Sequence, residues 1–272
     1  MKRINFQTNK KTIVGMVHIA ALPGTPANVL PVCEIVKKAA AEAKILADGG
    51  VDAILIENMH DVPYLKNTVG PEIVAAMTAV ACHLREQCTL PIGIQILAAA
   101  NKEALAVAQA AKLNFIRAEG FVFAHLADEG LIESCAGELL RYRKMIDAGD
   151  IQIFTDIRKK HSSHAITADI SLEEQVKTAV YFGSDGIVIT GRSTGEEALI
   201  EDVQIARHAC SLPVLIGSGI TATNIKDYWS FADVFIIGSF LKENGNWRNP
   251  VSKERLSQLM NEIACLRNND CF

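Results

Sequence analysis

A dense run of ionisable residues follows the fifth of the apolar segments that recur along this chain. In the run TDIRKKHSSH, one carboxylate is followed within a few residues by two lysines and a histidine. A carboxylate close to a lysine or histidine supplies an acid and a base with different pKa values, which carbon–carbon and carbon–oxygen bond chemistry requires. A desolvated lysine can also form a Schiff base with a carbonyl compound. The run therefore predicts the chemical centre among Asp156, Arg158, Lys159, Lys160, His161 and His164, with Asp156, Lys160 and His161 as candidate catalytic residues.

Ionisable residues also stand at the ends of three other apolar segments. His18 and Glu57 lie near the ends of the first and second segments, and Arg117 and Glu119 lie in the fourth. All four are further candidate catalytic residues, and Glu57 is an alternative to Asp156 as the carboxylate partner of a lysine or histidine. A buried salt bridge to Arg117 is an equally good interpretation of either carboxylate. His18 can equally be a histidine of the core.

The sequence names no cofactor. A divalent metal bound by His18, Glu57 and Asp156 is one alternative, but no H-x-H or H-E-x-x-H spacing supports it. We therefore predict no metal ligands.

Three consecutive glycine-rich segments follow the sixth, seventh and eighth apolar runs. They read TGRSTG, IGSGITATNI and IIGSFLKENG. Glycines allow backbone amides to approach a ligand closely, and free amides together with hydroxyls suit an anion. The alternative is that each glycine only serves a tight turn. The segments predict a phosphate site formed by Gly191, Ser193, Thr194, Gly217, Ser218, Gly219, Gly238 and Ser239.

The elements that would position these residues alternate regularly along the chain. Eight runs rich in Ile and Val, each followed by a stretch with helical periodicity, are typical of parallel βαβ units. The runs span residues 12–19, 51–58, 91–97, 115–120, 151–157, 186–191, 213–219 and 234–239. With 272 residues and no linker, the chain is predicted to be one α/β domain over residues 1–272, a (β/α)₈ barrel whose strand ends converge on one mouth. A doubly wound open sheet is the alternative, but no G-x-G-x-x-G follows the first run.

Several helix boundaries are also predicted. One helix ends at Gly49 and Gly50, another begins at Pro71, and a third is capped by Asn101. Ser171 stands three residues before Glu174, the spacing of a capping box.

Composition restricts the class of partner. The formal net charge is −4 and the basic residues are scattered, so we expect no nucleic-acid partner. The seven cysteines include no C-x-x-C pair and are expected to be reduced. No stretch of about 18 apolar residues occurs, which predicts a cytoplasmic protein without membrane insertion. The long loops after the second and fourth runs are either lids over the mouth or a homo-oligomer contact through Tyr64, Leu65, Phe121 and Phe123.

Several motifs together resemble one family. They are GMVHIAALPG (Gly15 to Gly24), GVDAILIEN-x-x-D-V-P ending at Pro63, FIRAEG, the Asp156 to His161 run, TG-x-x-TG and LIGSGITATNI. The chain resembles the BtpA family over nearly its whole length. It departs from the family pattern at Ala21, where a proline is frequent, and at Glu119, where an amide is common.

The resemblance implies a barrel of the ribulose-phosphate-binding type. Cyanobacterial members have been assigned a role in photosystem I biogenesis, and no reaction is settled for other members. Two hypotheses follow. The first is a lyase, aldolase or isomerase that acts on a phosphorylated sugar or nucleotide-like metabolite. The second is a ligand-binding or assembly factor built on the same barrel, without turnover.

Overall fold

The computed structural model describes residues 3–6 and 10–269. Eight parallel strands close into a barrel, in the order β1-β8-β7-β6-β5-β4-β3-β2 around the cylinder. The strands are β1 (Thr12–His18), β2 (Ala53–Glu57), β3 (Ile92–Gln95), β4 (Phe115–Ala118), β5 (Gln152–Asp156), β6 (Gly186–Thr190), β7 (Val214–Gly217) and β8 (Val234–Ile237). All eight predicted strands are confirmed, and closure of the sheet excludes the doubly wound alternative.

Eight helices surround the barrel. They are α1 (Val32–Asp48), α2 (Pro71–Gln87), α3 (Asn101–Ala110), α4 (Ala136–Met145), α5 (Leu172–Tyr181), α6 (Ile200–Ala209), α7 (Ile225–Tyr228) and α8 (Lys253–Asn269). The predicted boundaries at Gly49, Pro71 and Ser171 are confirmed, and the Ser171 hydroxyl accepts a hydrogen bond from the Glu174 N–H at 3.1 Å. These boundaries depend on neighbouring residues only, so sequence alone could locate them.

The predicted cap at Asn101 is wrong. Helix α3 begins at this residue, but the buried Asn101 amide donates instead to the carbonyl oxygen of Glu119 at 2.7 Å. The side chain faces the end of β4 because the helix packs against the barrel there, so a tertiary contact replaces the local cap.

Apolar residues fill both the inside of the barrel and the layer between the strands and the helices. The inner cluster includes Phe6, Phe115 and Phe154, whose rings pack edge-on or tilted with centroids 5.2–5.8 Å apart. Strands that are buried on both faces must be apolar throughout, which explains the continuous Ile and Val runs. The polar residues at the strand ends are left to form the mouth.

The loops after β2 and β4 are built into the mouth. The β4 loop forms two short strands, His125–Ala127 and Gly130–Ile132, and the first pairs with Ser162–Ser163 of the β5 loop. Phe121 is fully buried in the core, so the predicted oligomer contact through this residue is wrong. Leu65 remains 59% exposed, whereas Tyr64 and Phe123 are partly buried.

The thiols of Cys33, Cys82, Cys88, Cys135, Cys210 and Cys265 are free, and Cys271 lies outside the described residues. None of the helices that the structure describes has the length and apolar character needed to cross a bilayer.

Candidate functional site at the barrel mouth

Two adjoining cavities occupy the C-terminal mouth of the barrel. The β7–β8 chamber, of about 160 Å³, is lined mainly by residues that follow β6, β7 and β8. The β2–β5 chamber, of about 280 Å³, is lined mainly by the loops after β2, β4 and β5. Glu57, Met59, Lys160 and Thr194 line both chambers. The mouth is therefore one site with two compartments, and these four residues form the shared wall.

The β7–β8 chamber is bordered by main-chain N–H groups that have no protein acceptor. After β7, Ser218 and Gly219 both have positive φ, at 69° and 64°, and turn the chain sharply at the cavity wall. After β8, a 3₁₀-helix begins at Ser239. In the part of the chain that the structure describes, the N–H groups of Ser218, Gly219, Gly238, Ser239 and Phe240 donate no hydrogen bond. All five residues line the cavity, which provides a group of donors suited to an anion.

Packing also demands glycine at three of the predicted phosphate positions. A Cβ atom at Gly191 would overlap the carbonyl group of Glu196, and one at Gly219 would overlap the backbone of Glu197. At Gly238, a Cβ atom would lie 3.2 Å from Nε2 of His18, so the glycine makes room for that ring. These contacts support the alternative that the glycines serve tight turns. At Gly219 and Gly238 the same residues also have free N–H groups, so the two roles are compatible.

The eight residues predicted to bind phosphate separate into two groups. Thr194, Ser218, Gly219, Gly238 and Ser239 line the β7–β8 chamber. The other three do not: Gly191 faces a separate groove between the β5 and β6 loops, Gly217 is buried at the end of its strand, and Ser193 donates to the Glu196 carboxylate at 2.9 Å.

Arg117 and Asp156 form a buried, bidentate ion pair at the ends of β4 and β5. The Nε and Nη2 atoms of Arg117 donate to the two carboxylate oxygens at 2.8 and 2.6 Å. Both side chains are at most 5% exposed. Burial alone would lower the pKa of Arg117, but the attraction of Asp156 and its hydrogen bonds outweigh burial and raise that pKa. The sequence predicted either a catalytic role or a salt bridge to Arg117 for Asp156, and the structure has the salt bridge.

Glu57 and Lys160 are the two ionisable residues of the shared wall, and Glu57 is buried whereas Lys160 is half-buried. Burial raises the pKa of the Glu57 carboxyl, and the nearby Lys160 opposes that change. Burial likewise lowers the pKa of the Lys160 amine, and Glu57 opposes it. Neither side chain has a hydrogen-bond or ion-pair partner among the described residues. Both pKa values are shifted towards the neutral form, and shifts of this kind are common among catalytic acids and bases.

Glu119 is held by several donors on the opposite side of the β2–β5 chamber. Gln95 Nε2 donates to its carboxylate at 3.0 Å, the Ala99 N–H donates at 3.1 Å, and Lys159 Nζ lies 3.4 Å away. Lys159 also lies 3.4 Å from Glu129. Burial raises the pKa of Glu119, and Lys159 opposes it. The carboxylate that replaces the family's amide thus has a lysine partner.

His18 presents one ring nitrogen to the β7–β8 chamber. Its Nδ1 atom lies 3.1 Å from the carbonyl oxygen of Trp247, so the tautomer with hydrogen on Nδ1 donates there and leaves Nε2 as an acceptor near Gly238. Burial and the charge of Lys242 lower the pKa of His18 to about 3, against the effect of the hydrogen bond to Trp247. The ring is therefore neutral at pH 7 and can accept a hydrogen bond from a ligand hydroxyl.

His161 joins the β5 and β6 loops. Its Nε2 atom accepts a hydrogen bond from the Thr194 N–H at 3.1 Å and lies 3.0 Å from the Thr194 hydroxyl. Burial lowers the pKa of this histidine, and Lys160 adds to the effect. Because Nε2 is already occupied, the geometry gives His161 a role in holding Thr194 at the shared wall.

Sequence reasoning missed several residues of the mouth. Arg255, in the first turn of α8, donates from Nε to the Phe240 carbonyl at 2.5 Å and lines the β7–β8 chamber. Tyr64 and Trp247 line the other chamber. Arg255 could have been predicted from its position at the start of the helix that follows the β8 loop. Trp247 lies in an irregular segment with no motif.

The residues predicted as an alternative metal site are not arranged as one. Both carboxylate oxygens of Asp156 accept from Arg117. Across residues 3–6 and 10–269, no three His, Cys, Asp or Glu side chains converge as metal ligands.

Solved structures with similar folds include several barrel enzymes. The thiamine phosphate pyrophosphorylase of Pyrococcus furiosus matches with a TM-score of 0.59 at 13% identity, over 96% of this chain and 99% of the other. The phosphoribosyl anthranilate isomerase of Thermus thermophilus matches with a TM-score of 0.55 at 12% identity, over 94% and 99% of the two chains. At this level of identity the likeness concerns the fold alone.

Curated relatives are similar over almost the whole chain. An uncharacterized mitochondrial protein of Caenorhabditis elegans is 45% identical over 267 residues, which are 96% of each chain. The photosystem I biogenesis protein BtpA of Synechocystis is 34% identical, over 95% of this chain and 90% of its own. The BtpA family model matches residues 9–265. The chain belongs to the BtpA family.

Proposed function

We propose that the barrel mouth binds a phosphorylated small molecule and catalyses proton-transfer chemistry on it, as a lyase, aldolase or isomerase. The phosphate occupies the β7–β8 chamber, and the reacting carbons lie at the wall shared with the β2–β5 chamber. The observation that carries this proposal is the group of five unpartnered N–H donors after β7 and β8. The five residues are half-buried and line one cavity, and a cluster of free main-chain N–H groups of this kind is a typical anion-binding site.

Side chains around those amides strengthen the case for phosphate. Arg255 adds a permanent positive charge, and Ser239 and Thr194 add hydroxyl donors. Among the described residues that line this cavity, Glu57 is the one carboxylate, and burial raises its pKa. The chamber is thus rich in donors and poor in negative charge.

Glu57 and Lys160 are the acid–base pair of the proposed reaction. One group takes a proton from carbon or from a hydroxyl beside a carbonyl, and the other delivers a proton to the oxygen on which negative charge develops. Once it has lost its proton, the Lys160 amine is also a nucleophile, which can form a Schiff base with a carbonyl substrate and release water. Arg117 lines the same chamber, and the carboxylate of Asp156 holds its guanidinium there.

The names of fold relatives agree with a phosphorylated ligand. Two of them are named for thiamine phosphate and for phosphoribosyl anthranilate. The agreement is an analogy of fold, since function resides in the site and not in the barrel itself.

Anion binding is tested first with Ser239→Asp. A carboxylate at this position repels phosphate, so ribose 5-phosphate affinity measured by calorimetry is expected to fall at least about tenfold. Ser230→Asp is the matched control, because Ser230 is exposed on the loop before β8, at the other end of the barrel. Equal loss of affinity in both variants, or in neither, would contradict the phosphate assignment.

Catalysis is tested with Lys160→Met and Glu57→Gln. A panel of phosphorylated metabolites is first screened by thermal shift, and each stabilising compound is then assayed for conversion. Loss of general acid–base catalysis is expected to lower turnover by about 10²–10⁴-fold. In Glu57→Gln, phosphate affinity should change by less than about threefold, since the proposed anion donors are the N–H groups after β7 and β8.

A non-catalytic function is the second candidate, because the relative from Synechocystis is named for photosystem I biogenesis. In that case the same compounds stabilise the protein and none is converted. Glu57→Gln would then leave the ligand-induced thermal shift unchanged, and neither the wild-type protein nor the variant would convert the compound.

A further inference from the structure

A cavity of about 570 Å³ lies outside the barrel mouth, between α1, the loop after β1 and residues 248–251. We call it the α1 groove. Its walls are mostly small or aliphatic side chains, including Ala21, Leu30, Ile45 and Val251. Val29 on its rim is 87% exposed, so an apolar side chain is left in water there. The size and the apolar lining are those of a small-molecule site.

Two lysines and one arginine stand among the polar residues of the groove. Lys242 is 1% exposed and its Nζ atom lies 2.6 Å from Glu42, which is the one acidic residue among the described residues that line the groove. Lys38 and Arg248 add two further positive charges. No carboxylate in the described chain pairs with either of them. The groove therefore has positive charge in excess at the edge of an apolar surface.

The groove shares a wall with the mouth. His18 lines both the groove and the β7–β8 chamber, and its Nδ1 atom is bonded to the Trp247 carbonyl. The guanidinium of Arg248 stacks over the Trp247 ring at 4.4 Å, and the His60 ring lies 5.0 Å from the same indole. A molecule in the groove would thus contact residues that also position the mouth.

We propose that the α1 groove is a second binding site, for an amphiphilic anion with a short apolar body. The carboxylate or phosphate of such a molecule pairs with Lys38 and Arg248, and its apolar part covers the alanines and aliphatic residues of α1 and the β1 loop. Opposite charge and apolar area together select this chemistry over a neutral lipid or a hydrophilic metabolite. The site is distinct from the phosphate chamber and does not depend on the proposed reaction.

The first experiment compares decyl phosphate with decanol by calorimetry, below the micelle concentration. The wild-type protein is expected to bind decyl phosphate at least about tenfold more tightly than decanol. The double variant Lys38→Glu, Arg248→Glu should lose that preference, while Lys226→Glu, a charge reversal on exposed α7, should keep it. Equal affinity for the two compounds in the wild-type protein would overturn the proposal.

The second experiment separates the groove from the mouth. Ala41 is exposed on α1 and lines the groove, so Ala41→Trp fills the cavity without disturbing the core. This variant should lose decyl phosphate binding by at least about tenfold and keep its affinity for ribose 5-phosphate. Ser239→Asp should show the opposite pattern. Decyl phosphate binding that is lost in Ser239→Asp and kept in Ala41→Trp would place the anion in the mouth and refute the groove site.

Two further results would also overturn the proposal. Binding to phosphatidylglycerol vesicles without binding of free decyl phosphate would indicate a membrane surface as the partner. A concentration-dependent dimer in sedimentation experiments that Ala41→Trp dissociates would indicate that a second copy covers the groove.

Discussion

The two halves of the barrel mouth use different parts of the polypeptide. After β7 and β8 the wall presents main-chain N–H groups, whose positions depend on tight turns at Gly219 and Gly238. After β2, β4 and β5 the wall carries several buried charged side chains, and one of them, Arg117, is paired with Asp156. Main-chain donors need only the correct backbone path, whereas buried charges need specific partners. The first half is therefore suited to a constant group such as phosphate, and the second half to chemistry that depends on side-chain identity.

The largest effect is expected where a buried pair is broken. Asp156→Leu leaves the Arg117 guanidinium buried without its carboxylate, so the free energy of unfolding should fall by about 3–5 kcal/mol. Urea unfolding of the variant and the wild-type protein measures this loss of free energy. Lys177→Met, which removes an exposed i,i+4 pair with Glu173 on α5, is the control and should cost at most about 0.5 kcal/mol. Similar losses in the two variants would remove the distinction between paired and exposed charges.

The turns of the main-chain half come next. Gly219→Ala places a Cβ atom on the backbone of Glu197 and forces a positive φ on alanine, and should cost about 2–4 kcal/mol. Gly195→Ala is the matched variant, because Gly195 also has a positive φ, of 85°, but nothing lies within 4 Å of its Cβ position. It should cost only about 1–2 kcal/mol. Thermal or urea unfolding measures the free energy of unfolding of both variants. An equal loss would mean that the backbone around Glu197 moves to accommodate the added Cβ atom.

A smaller effect concerns pH. The pKa of His18 is lowered to about 3 in the folded protein, so the folded state prefers the neutral ring. Its contribution is complete above the unfolded pKa of about 6.5 and is lost as the pH falls from there towards 3. Between pH 7.5 and pH 5, the wild-type protein should lose about 1–2 kcal/mol more stability than His18→Gln. Parallel pH profiles for the two proteins would show that His18 is charged or free in the folded state.

The smallest effect is expected at the contact between the two halves. Thr194→Val removes the hydroxyl near His161 but keeps the main-chain N–H bond, so stability should fall by about 0.5–1 kcal/mol. Affinity for ribose 5-phosphate should weaken by about two- to fivefold, since one hydroxyl donor is lost. Calorimetry measures this, and an unchanged affinity would remove Thr194 from the proposed phosphate contacts.

Local patterns allowed most of the framework to be predicted. The eight strands and the Ser171 cap were found because periodicity and capping involve residues close in sequence. The predicted cap at Asn101 fails because its side-chain amide donates to the Glu119 carbonyl oxygen, which is distant in sequence. A local pattern does not contain that contact. Five of the eight predicted phosphate positions line one chamber, because strand ends in a closed barrel must converge.

The sequence by itself thus determined the barrel, the location of its mouth and the candidate residues that surround it. Only the tertiary structure decided the pairing: Asp156 and not Glu57 binds Arg117, 39 positions away, and His18 contacts Trp247, 229 positions away. Closure of the barrel and docking of the last loops bring these residues together. The free energy of a buried charge depends on which neighbour it meets, and no local pattern encodes that neighbour.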